Sequence, residues 1–310
     1  MLEILARTLP FFALTGLGWG AALRGFISPP ENAALTKFVF YFALSAMLLA
    51  LTSGLSLDEM LDARLFGAWA CAWGLVWIFA FAVARLRGLP VAEAAMEAQC
   101  GVIGNTGFLG LPMLVVILGP ASALPVLQVL ILDMVIFNPL ITLIITASRG
   151  GGPGISSLKP LGVSLLKNPI IVSCLIGLGW SLTGIPLTGP VLDFLELLGR
   201  AATPVALFVI GVSLAGKGAG SLLVSGWVSF LKLVLHPLVT AFFALWVFDL
   251  PGSVAAAMVA AAALPVAGNV YILAAHYGVA PQRVSASILV STVAAILTVT
   301  MVLAWVAGFQ

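Results

Sequence analysis

The tetrapeptide Gly16-Leu17-Gly18-Trp19 returns later in the chain as Gly177-Leu178-Gly179-Trp180, at an offset of 161 residues. A second segment, Gly54-Leu55-Ser56-Leu57, returns as Gly211-Val212-Ser213-Leu214, which lies 157 residues further on. Both offsets are close to half of the 310-residue chain. Because recurrence at one period is the sequence signature of a duplicated structural unit, we predict that the fold consists of two related halves.

The composition indicates a membrane protein. Hydrophobic residues make up 62% of the chain and charged residues only 8%, and the mean hydropathy is +1.21. A soluble domain carries about 25% charged residues, so this chain cannot cover its own surface in water. The net charge is +2 and the basic residues are scattered, which argues against a nucleic-acid partner. Membrane lipid is therefore the expected surrounding of the protein.

Ten membrane spans follow from the length of about 20 apolar residues that a bilayer requires. They cover residues 4–23, 34–53, 65–84, 93–117, 122–147, 163–183, 190–215, 221–248, 252–276 and 282–307. We predict a first five-helix repeat in residues 1–147, a cytoplasmic linker in residues 148–160 and a second five-helix repeat in residues 161–310. Since each repeat holds an odd number of spans, the two repeats are inverted. The predicted fold is thus an all-α integral membrane protein of ten transmembrane helices.

The orientation follows from the lysines and arginines, which are enriched in cytoplasmic loops. Nine lie on the side of the linker, namely Arg24, Lys37, Arg85, Arg87, Arg149, Lys159, Lys167, Lys217 and Arg283. Three lie on the opposite side, namely Arg7, Arg64 and Arg200. We therefore predict that both termini face outwards, which in a bacterial inner membrane is the periplasm.

Two spans contain residues that interrupt a helix at mid-depth. The fourth contains the stretch GNTGFLGLP at residues 104–112, and the ninth contains LPVAGNVY at residues 264–271. Interrupted spans in corresponding positions of two repeats point to a transport site. The freed N–H groups and the positive helix ends suit an anion, and Asn105 and Asn269 add amide groups. The alternative interpretation is ordinary kinks, with asparagines that bond neighbouring helices.

Four ionisable residues lie within the predicted spans, namely Glu97, Asp133, Lys232 and His236. Such residues are costly in lipid and are therefore candidates for function. Lys232 and His236 are four residues apart on one helix face, where Lys232 can offer a cation to a substrate carboxylate. Asp133 and His236 are the candidates for proton coupling. The alternative is that Lys232 pairs with Asp133 or Glu97 and only holds the spans together.

Several segments together resemble the auxin efflux carrier family, which belongs to the superfamily of bile acid, arsenite and riboflavin transporters. They are residues 105–112, 138–140, 167–169, 204–214, 232–237 and 264–278. The resemblance covers essentially the whole chain. It is to the compact bacterial members, because the chain has no long hydrophilic cytoplasmic loop.

The resemblance implies a scaffold made from spans one, two, six and seven, and a transport domain made from spans three to five and eight to ten. It also implies that the two broken spans cross at their prolines, Pro112 and Pro265, beside the substrate. The role of the family's asparagine in holding a carboxylate carries over to Asn105. Backbone groups of residues 266–268 form the other half of the implied site. Family members move organic anions, including auxin and dicarboxylates such as malonate or malate.

We therefore predict a secondary transporter of a small organic carboxylate that works by elevator-like or rocking alternating access. The candidate substrate-binding residues are Asn105, Thr106, Gly107, Pro112, Lys232, Pro265, Val266, Gly268 and Asn269. The alternatives are a sodium-coupled symporter of the bile-acid type, or a channel or sensor. An enzyme is not expected, because the two histidines, His236 and His276, form no catalytic pair or metal triad. No metal or cofactor is expected besides a coupling proton or sodium ion, and a homodimer is one candidate assembly.

Overall fold

The computed structural model describes residues 2–55, 62–148, 169–215 and 222–309. The linker predicted for residues 148–160 lies outside this range except for Ser148, as do Arg149, Lys159, Lys167 and Lys217. Within the described ranges the chain is helical and has no strand, and one isolated bridge joins Gly104 to Val266. This agrees with an all-α membrane fold.

Twelve helices form within the described ranges, and four of them contain π-helical turns. The first six are α1 (Leu2–Leu23), α2 (Pro29–Thr52), α3 (Ala63–Leu86), α4 (Val91–Val102), α5 (Thr106–Leu118) and α6 (Pro120–Ser148). The other six are α7 (Pro169–Ser181), α8 (Pro190–Leu214), α9 (Leu223–Val247), α10 (Gly252–Ala262), α11 (Gly268–Tyr277) and α12 (Pro281–Phe309). The predicted fourth span therefore consists of two helices, α4 and α5, and the ninth consists of α10 and α11.

Six of these helices are long and apolar enough to cross a membrane, namely α2, α3, α6, α8, α9 and α12. Four shorter apolar helices accompany them, namely residues Thr8–Leu23 of α1, α5, α7 and α10. A helix satisfies its backbone hydrogen bonds within one segment and is therefore stable in lipid. The length and apolar composition of these helices indicate a helical membrane protein. The count of ten spans and the inversion of the repeats stay predictions.

The chain divides into two compact units. Unit 1 comprises Met1–Leu9, Ala63–Gly154 and Lys217–Gln310, and therefore contains α3 to α6 and α9 to α12. Unit 2 comprises Pro10–Asp62 and Ile155–Gly216, and therefore contains most of α1 together with α2, α7 and α8. Both broken spans thus belong to unit 1.

Unit 2 explains the duplicated glycine motif by close helix packing. A Cβ atom added at Gly18 in α1 would lie 2.0 Å from the carbonyl oxygen of Phe208 in α8. A Cβ atom added at Gly177 in α7 would lie 2.0 Å from Thr52 Oγ1 in α2. Small residues let helix backbones approach closely in membranes. Each copy of the motif therefore supplies a glycine that permits one helix contact of unit 2.

Unit 1 encloses the first helix of each broken span. Every residue from Ala94 to Val102 in α4 is buried, and so is every residue from Ala255 to Ala262 in α10. Irregular backbone at membrane depth is tolerated only where protein covers it or where it lines a cavity. Both helices are therefore surrounded by protein, and not by lipid, up to the point where each helix breaks.

Candidate functional site

The first break lies between α4 and α5. The helix ends at Val102, Ile103 is extended, and Asn105 has φ −75° and ψ 54° before α5 begins at Thr106. Pro112, which the resemblance implies as the point where the two broken spans cross, lies instead buried inside α5, seven residues after Asn105. A π-helical turn over Thr106–Gly110 precedes the proline. Such a turn accommodates a proline without a full break of the helix.

The second break lies between α10 and α11. The first helix ends at Ala262, and the second begins at Gly268 after an extended Ala267. Pro265 lies inside this break, as predicted. Leu264 N–H still bonds to the Ala261 carbonyl at 3.3 Å, so the chain turns away from the helix axis within the next residues.

The two breaks are hydrogen-bonded to each other. Asn105 N–H donates to the Pro265 carbonyl at 2.9 Å, and Ala267 N–H donates to the Ile103 carbonyl at 3.2 Å. Gly104 and Val266 form the antiparallel bridge between these two bonds. We call residues 103–105 and 263–267 together the crossing. Four helix ends meet there, and their backbone groups satisfy one another.

A serine from a neighbouring helix holds the second segment of the crossing, residues 263–267. Ser291 Oγ in α12 accepts a 3.1 Å hydrogen bond from Val266 N–H and itself donates to the Ile288 carbonyl at 3.2 Å. Ser291 is fully buried. It therefore gives Val266 an acceptor that the broken helix cannot supply.

The predicted binding residues divide into a buried and an exposed set. Thr106, Gly107, Pro112, Pro265 and Val266 are buried, whereas Gly268 and Asn269 are exposed at the start of α11. Asn105 keeps 8% of its surface exposed. Within the part of the chain that the structure describes, the side-chain amides of Asn105 and Asn269 form no hydrogen bond. Both amides are thus available to a ligand.

The start of α11 adds backbone donors to these amides. The first-turn N–H groups of a helix have no intrahelical acceptor, and the helix dipole places about half a positive charge there. Gly268 and Asn269 are the first two residues of α11 and both are exposed. This end of α11 can therefore receive an anion.

Lys232 lies fully buried in a π-helical turn of α9. Its ammonium donates to the carbonyl oxygen of Ala262, the last residue of α10, and lies 3.2 Å from His236 Nδ1. Among the described residues, Lys232 forms no direct ion pair with Asp133 or Glu97. Both carboxylates have other partners.

Asp133 and His236 lie on two sides of one tryptophan. Trp69 Nε1 donates a 3.0 Å hydrogen bond to Asp133 Oδ1, and the centroids of the Trp69 and His236 rings are 5.1 Å apart. Asp133 Oδ2 and His236 Nε2 are buried and have no hydrogen-bond partner among the residues that the structure describes. The structure therefore brings the two predicted coupling residues to one site inside unit 1.

Glu97 belongs to a separate cluster of charges. Its buried carboxylate contacts the guanidinium of Arg87, and Arg283 Nη1 lies 3.8 Å from it and 3.2 Å from Glu93. Two arginines thus neutralise a carboxylate that would be costly inside the protein. Glu97 ties α4 to α12 and takes no part in the crossing.

A family model supplies the identity of this fold. The model described as a membrane transport protein matches residues 3–303, which is nearly the whole chain. The chain belongs to this family. Its resemblance to the auxin efflux carriers is thereby confirmed, and the protein is a membrane transporter.

Two curated relatives extend over almost the same length. A protein of Rhizobium meliloti (strain 1021) named "Putative malonate transporter" is 30% identical over 314 residues, covering 97% of this chain and 95% of its own. The "Uncharacterized transporter YfdV" of Escherichia coli (strain K12) is 26% identical over 302 residues, covering 94% and 93%. The transporter is therefore similar to these proteins from end to end.

Two contacts at the transporter's polar sites were not predicted. Trp69 donates a hydrogen bond to Asp133, and Ser291 accepts one from Val266. A single sequence carries no signal for either contact, because the partners lie 64 and 25 residues apart in the chain.

Proposed function

We propose that this transporter carries a small organic anion, a dicarboxylate of the malonate class, across the membrane by alternating access. The observation that carries the proposal is the crossing, where the unbonded amides of Asn105 and Asn269 accompany the exposed start of α11. The printed name of the Rhizobium relative supports the substrate class.

The proposed site recognises carboxylate through neutral donors. Amide N–H groups and helix N-termini bind anions without a positively charged side chain. The empty site therefore contains no buried charge with a large desolvation cost. A substrate carboxylate would accept hydrogen bonds from the Asn105 amide and from the first-turn N–H groups of α11. A second carboxylate would engage Asn269, one helical step further.

We propose that unit 1 is the transport domain and unit 2 the scaffold. Both broken spans belong to unit 1, and its helices correspond to spans three to five and eight to ten. The two backbone hydrogen bonds of the crossing support motion of the site as one body. An elevator-like movement of unit 1 follows from this assignment.

The proposed topology has ten spans, with both termini outside a bacterial inner membrane. Six long and four shorter apolar helices among the described residues support that number. The excess of lysine and arginine on the side of the linker supports the orientation.

We also propose that a proton is the coupling ion and that Asp133 and His236 carry it. Both are buried and both contact Trp69, and each has one polar atom that finds no hydrogen-bond partner in the described part of the chain. Ionisable groups inside a membrane protein commonly form proton relays.

The test is uptake of labelled malonate into liposomes that contain the purified transporter. We expect saturable uptake, competition by malate and other small dicarboxylates, and faster entry into liposomes preloaded with unlabelled malonate. Organic cations of similar size should not compete. Unitary currents without counterflow would show that the protein is a channel and not a carrier. Uptake of cations but not of acids would contradict the proposed anion site.

A further inference from the structure

Unit 2 contains a cavity that the proposed substrate site does not use. The cavity has a volume of about 460 Å³ and is lined by the end of α1, the start of α2 and the end of α8. Pockets that bind small ligands have volumes of about 300–1,000 Å³. The cavity is therefore large enough to hold a small ligand or the polar end of a larger one.

The wall of the cavity is apolar except for one pair of side chains. Six of its eight lining residues are apolar, among them Leu23 and Val212. The other two are Asn32 and Ser213, and Asn32 Nδ2 donates a 2.9 Å hydrogen bond to Ser213 Oγ. Ser213 is the serine of the repeated segment at residues 211–214, so part of that segment lines the cavity.

The polar pair has one acceptor and one donor to spare. Asn32 Oδ1 is buried and finds no donor among the described residues. The Ser213 oxygen accepts from Asn32, and within the same residues its O–H group donates to no acceptor. A buried acceptor without a donor is destabilising, and a ligand can supply the missing partner. The matching ligand donates one hydrogen bond, accepts another and has an apolar body beside them.

The position of the cavity in the fold indicates where such a ligand comes from. Thr8–Leu23 is an apolar helix, and its last residue lines the cavity. Leu23 is 58% exposed, and Phe26, three residues further on, is 75% exposed. Exposed apolar surface of this kind marks contact with a membrane or a partner, and at the end of a helix long enough to enter the bilayer it faces lipid. The bilayer is therefore the source of the ligand.

The charges near this end of α1 favour a phosphate group. Arg24 is the only basic residue of the sequence between Arg7 and Lys37, and it lies on the side that we predict to be cytoplasmic. Glu31 is the only acidic residue in the same interval, and its carboxylate accepts hydrogen bonds from Ser28 N–H and Oγ. Basic residues close to the membrane surface attract the negatively charged groups of lipids. A phospholipid headgroup matches this local charge.

We propose that the cavity binds a phospholipid whose headgroup carries a hydrogen-bond donor. The ammonium of phosphatidylethanolamine or a hydroxyl of phosphatidylglycerol donates to Asn32 Oδ1, and a phosphate or ester oxygen accepts from Ser213. The acyl chains follow the exposed apolar side chains of Leu23 and Phe26 into the membrane. Phosphatidylcholine ends in a trimethylammonium group that has no N–H, so it leaves Asn32 Oδ1 without a donor. The site requires no particular cargo, and we assign it no part in uptake.

The test measures thermal unfolding of the purified, delipidated transporter in detergent. Phosphatidylethanolamine, phosphatidylglycerol and phosphatidylcholine with the same acyl chains are added at equal molar excess, and native mass spectrometry counts the bound lipids. Soluble glycerophosphoethanolamine is the fourth additive, because it carries the headgroup without acyl chains. The variants are Asn32→Leu and Ser213→Ala. Ser45→Ala is the matched control, since Ser45 also lies in unit 2 but bonds to the Phe40 carbonyl and does not line the cavity.

We expect phosphatidylethanolamine and phosphatidylglycerol to raise the unfolding temperature of the unmodified protein by about 3 °C or more, and phosphatidylcholine by less than about 1 °C. The soluble headgroup should have no effect, because the apolar contacts are missing. Asn32→Leu should respond equally to the three lipids, and Ser213→Ala should retain one bound lipid less than Ser45→Ala. The control should behave like the unmodified protein.

The comparison of lipids with the unmodified protein decides the proposal even where a variant cannot be purified. Equal stabilisation by phosphatidylcholine, or no stabilisation by any lipid, would overturn it. Stabilisation by glycerophosphoethanolamine as large as that by the whole lipid would replace the lipid by a soluble ligand. A preference for donor-bearing headgroups that persists in Asn32→Leu would show that the lipid binds elsewhere.

Discussion

The backbone N–H of Asn105 donates a 2.9 Å hydrogen bond to the carbonyl oxygen of Pro265. This bond joins the first broken span to the second and fixes the main chain of the residue whose side chain we assign to the substrate. The side-chain amide takes no part in it. Recognition by Asn105 can therefore be separated experimentally from its structural role.

Asn105→Ala is expected to lower malonate uptake by about tenfold to a hundredfold, because a hydrogen bond to a charged group contributes about 1.5–3 kcal/mol. The unfolding temperature should change by less than about 3 °C, since the backbone bond to Pro265 remains. Asn32→Ala is the control, because Asn32 lies in unit 2 and bonds to Ser213. Normal uptake by Asn105→Ala would contradict the proposed site.

Gly104→Ala is expected to destabilise unit 1 by about 1–3 kcal/mol, because the added Cβ would lie 3.1 Å from Lys232 Nζ and 3.2 Å from the Ala261 carbonyl oxygen. Gly74→Ala in α3 is the matched control, since no atom lies within 4 Å of its added Cβ. Thermal unfolding in detergent measures both. Equal stability of the two variants would show that the crossing tolerates a methyl group.

Trp69→Phe should cost about 1–3 kcal/mol more stability than Trp77→Phe. The two changes remove the same atoms from buried indoles of α3. Trp69 donates to a carboxylate, whereas Trp77 Nε1 has no hydrogen-bond partner within the described ranges. The difference between their unfolding free energies therefore reports the bond to Asp133. No difference would mean that this bond contributes nothing to stability.

Gly177→Ala is expected to disrupt unit 2, because the added Cβ would lie 2.0 Å from Thr52 Oγ1 and 2.8 Å from the Leu49 carbonyl oxygen. A loss of about 1–3 kcal/mol or more follows from forcing α7 away from α2. Gly179→Ala, two residues further along the same helix, meets no atom within 4 Å and should behave like the unmodified protein. Monodispersity in size-exclusion chromatography and the unfolding temperature both distinguish the two variants.

Asp133→Asn is expected to abolish malonate accumulation driven by a pH gradient while leaving malonate–malonate exchange largely intact. The asparagine keeps an oxygen that accepts from Trp69 Nε1 but cannot take up a proton. Accumulation and exchange are measured in the same liposomes. If gradient-driven accumulation is unchanged in the variant, Asp133 is not the coupling residue.

The sequence predicts the helical class, the two broken spans and their glycine-rich motifs well, because apolar length and helix-breaking residues are local properties. The repeated glycines were likewise recognised, and the packing of Gly18 and Gly177 gives them a physical cause. The family resemblance is confirmed by a match across residues 3–303.

The position of the first break could not be predicted from the same pattern. Pro112 is the strongest local breaker, yet a π-helical turn accommodates it, and the helix opens at Gly104, where α10 and Lys232 approach. The partner of Lys232 was missed for a related reason. Every residue has a backbone carbonyl, so the sequence does not show which carbonyl, here one 30 residues away, accepts from Lys232. A carboxylate, in contrast, is recognised in the sequence as Asp or Glu.

The hydrogen bonds that join the two segments of the crossing use main-chain atoms alone. Side chains around this main-chain frame can therefore be substituted without breaking its hydrogen bonds, provided that residue 104 remains a glycine and can lie close to Lys232 and Ala261. If the proposed site is correct, a different substrate would require only a few substitutions near Asn105 and Asn269. The same frame is thus a starting point for redesigning which substrate this transporter carries.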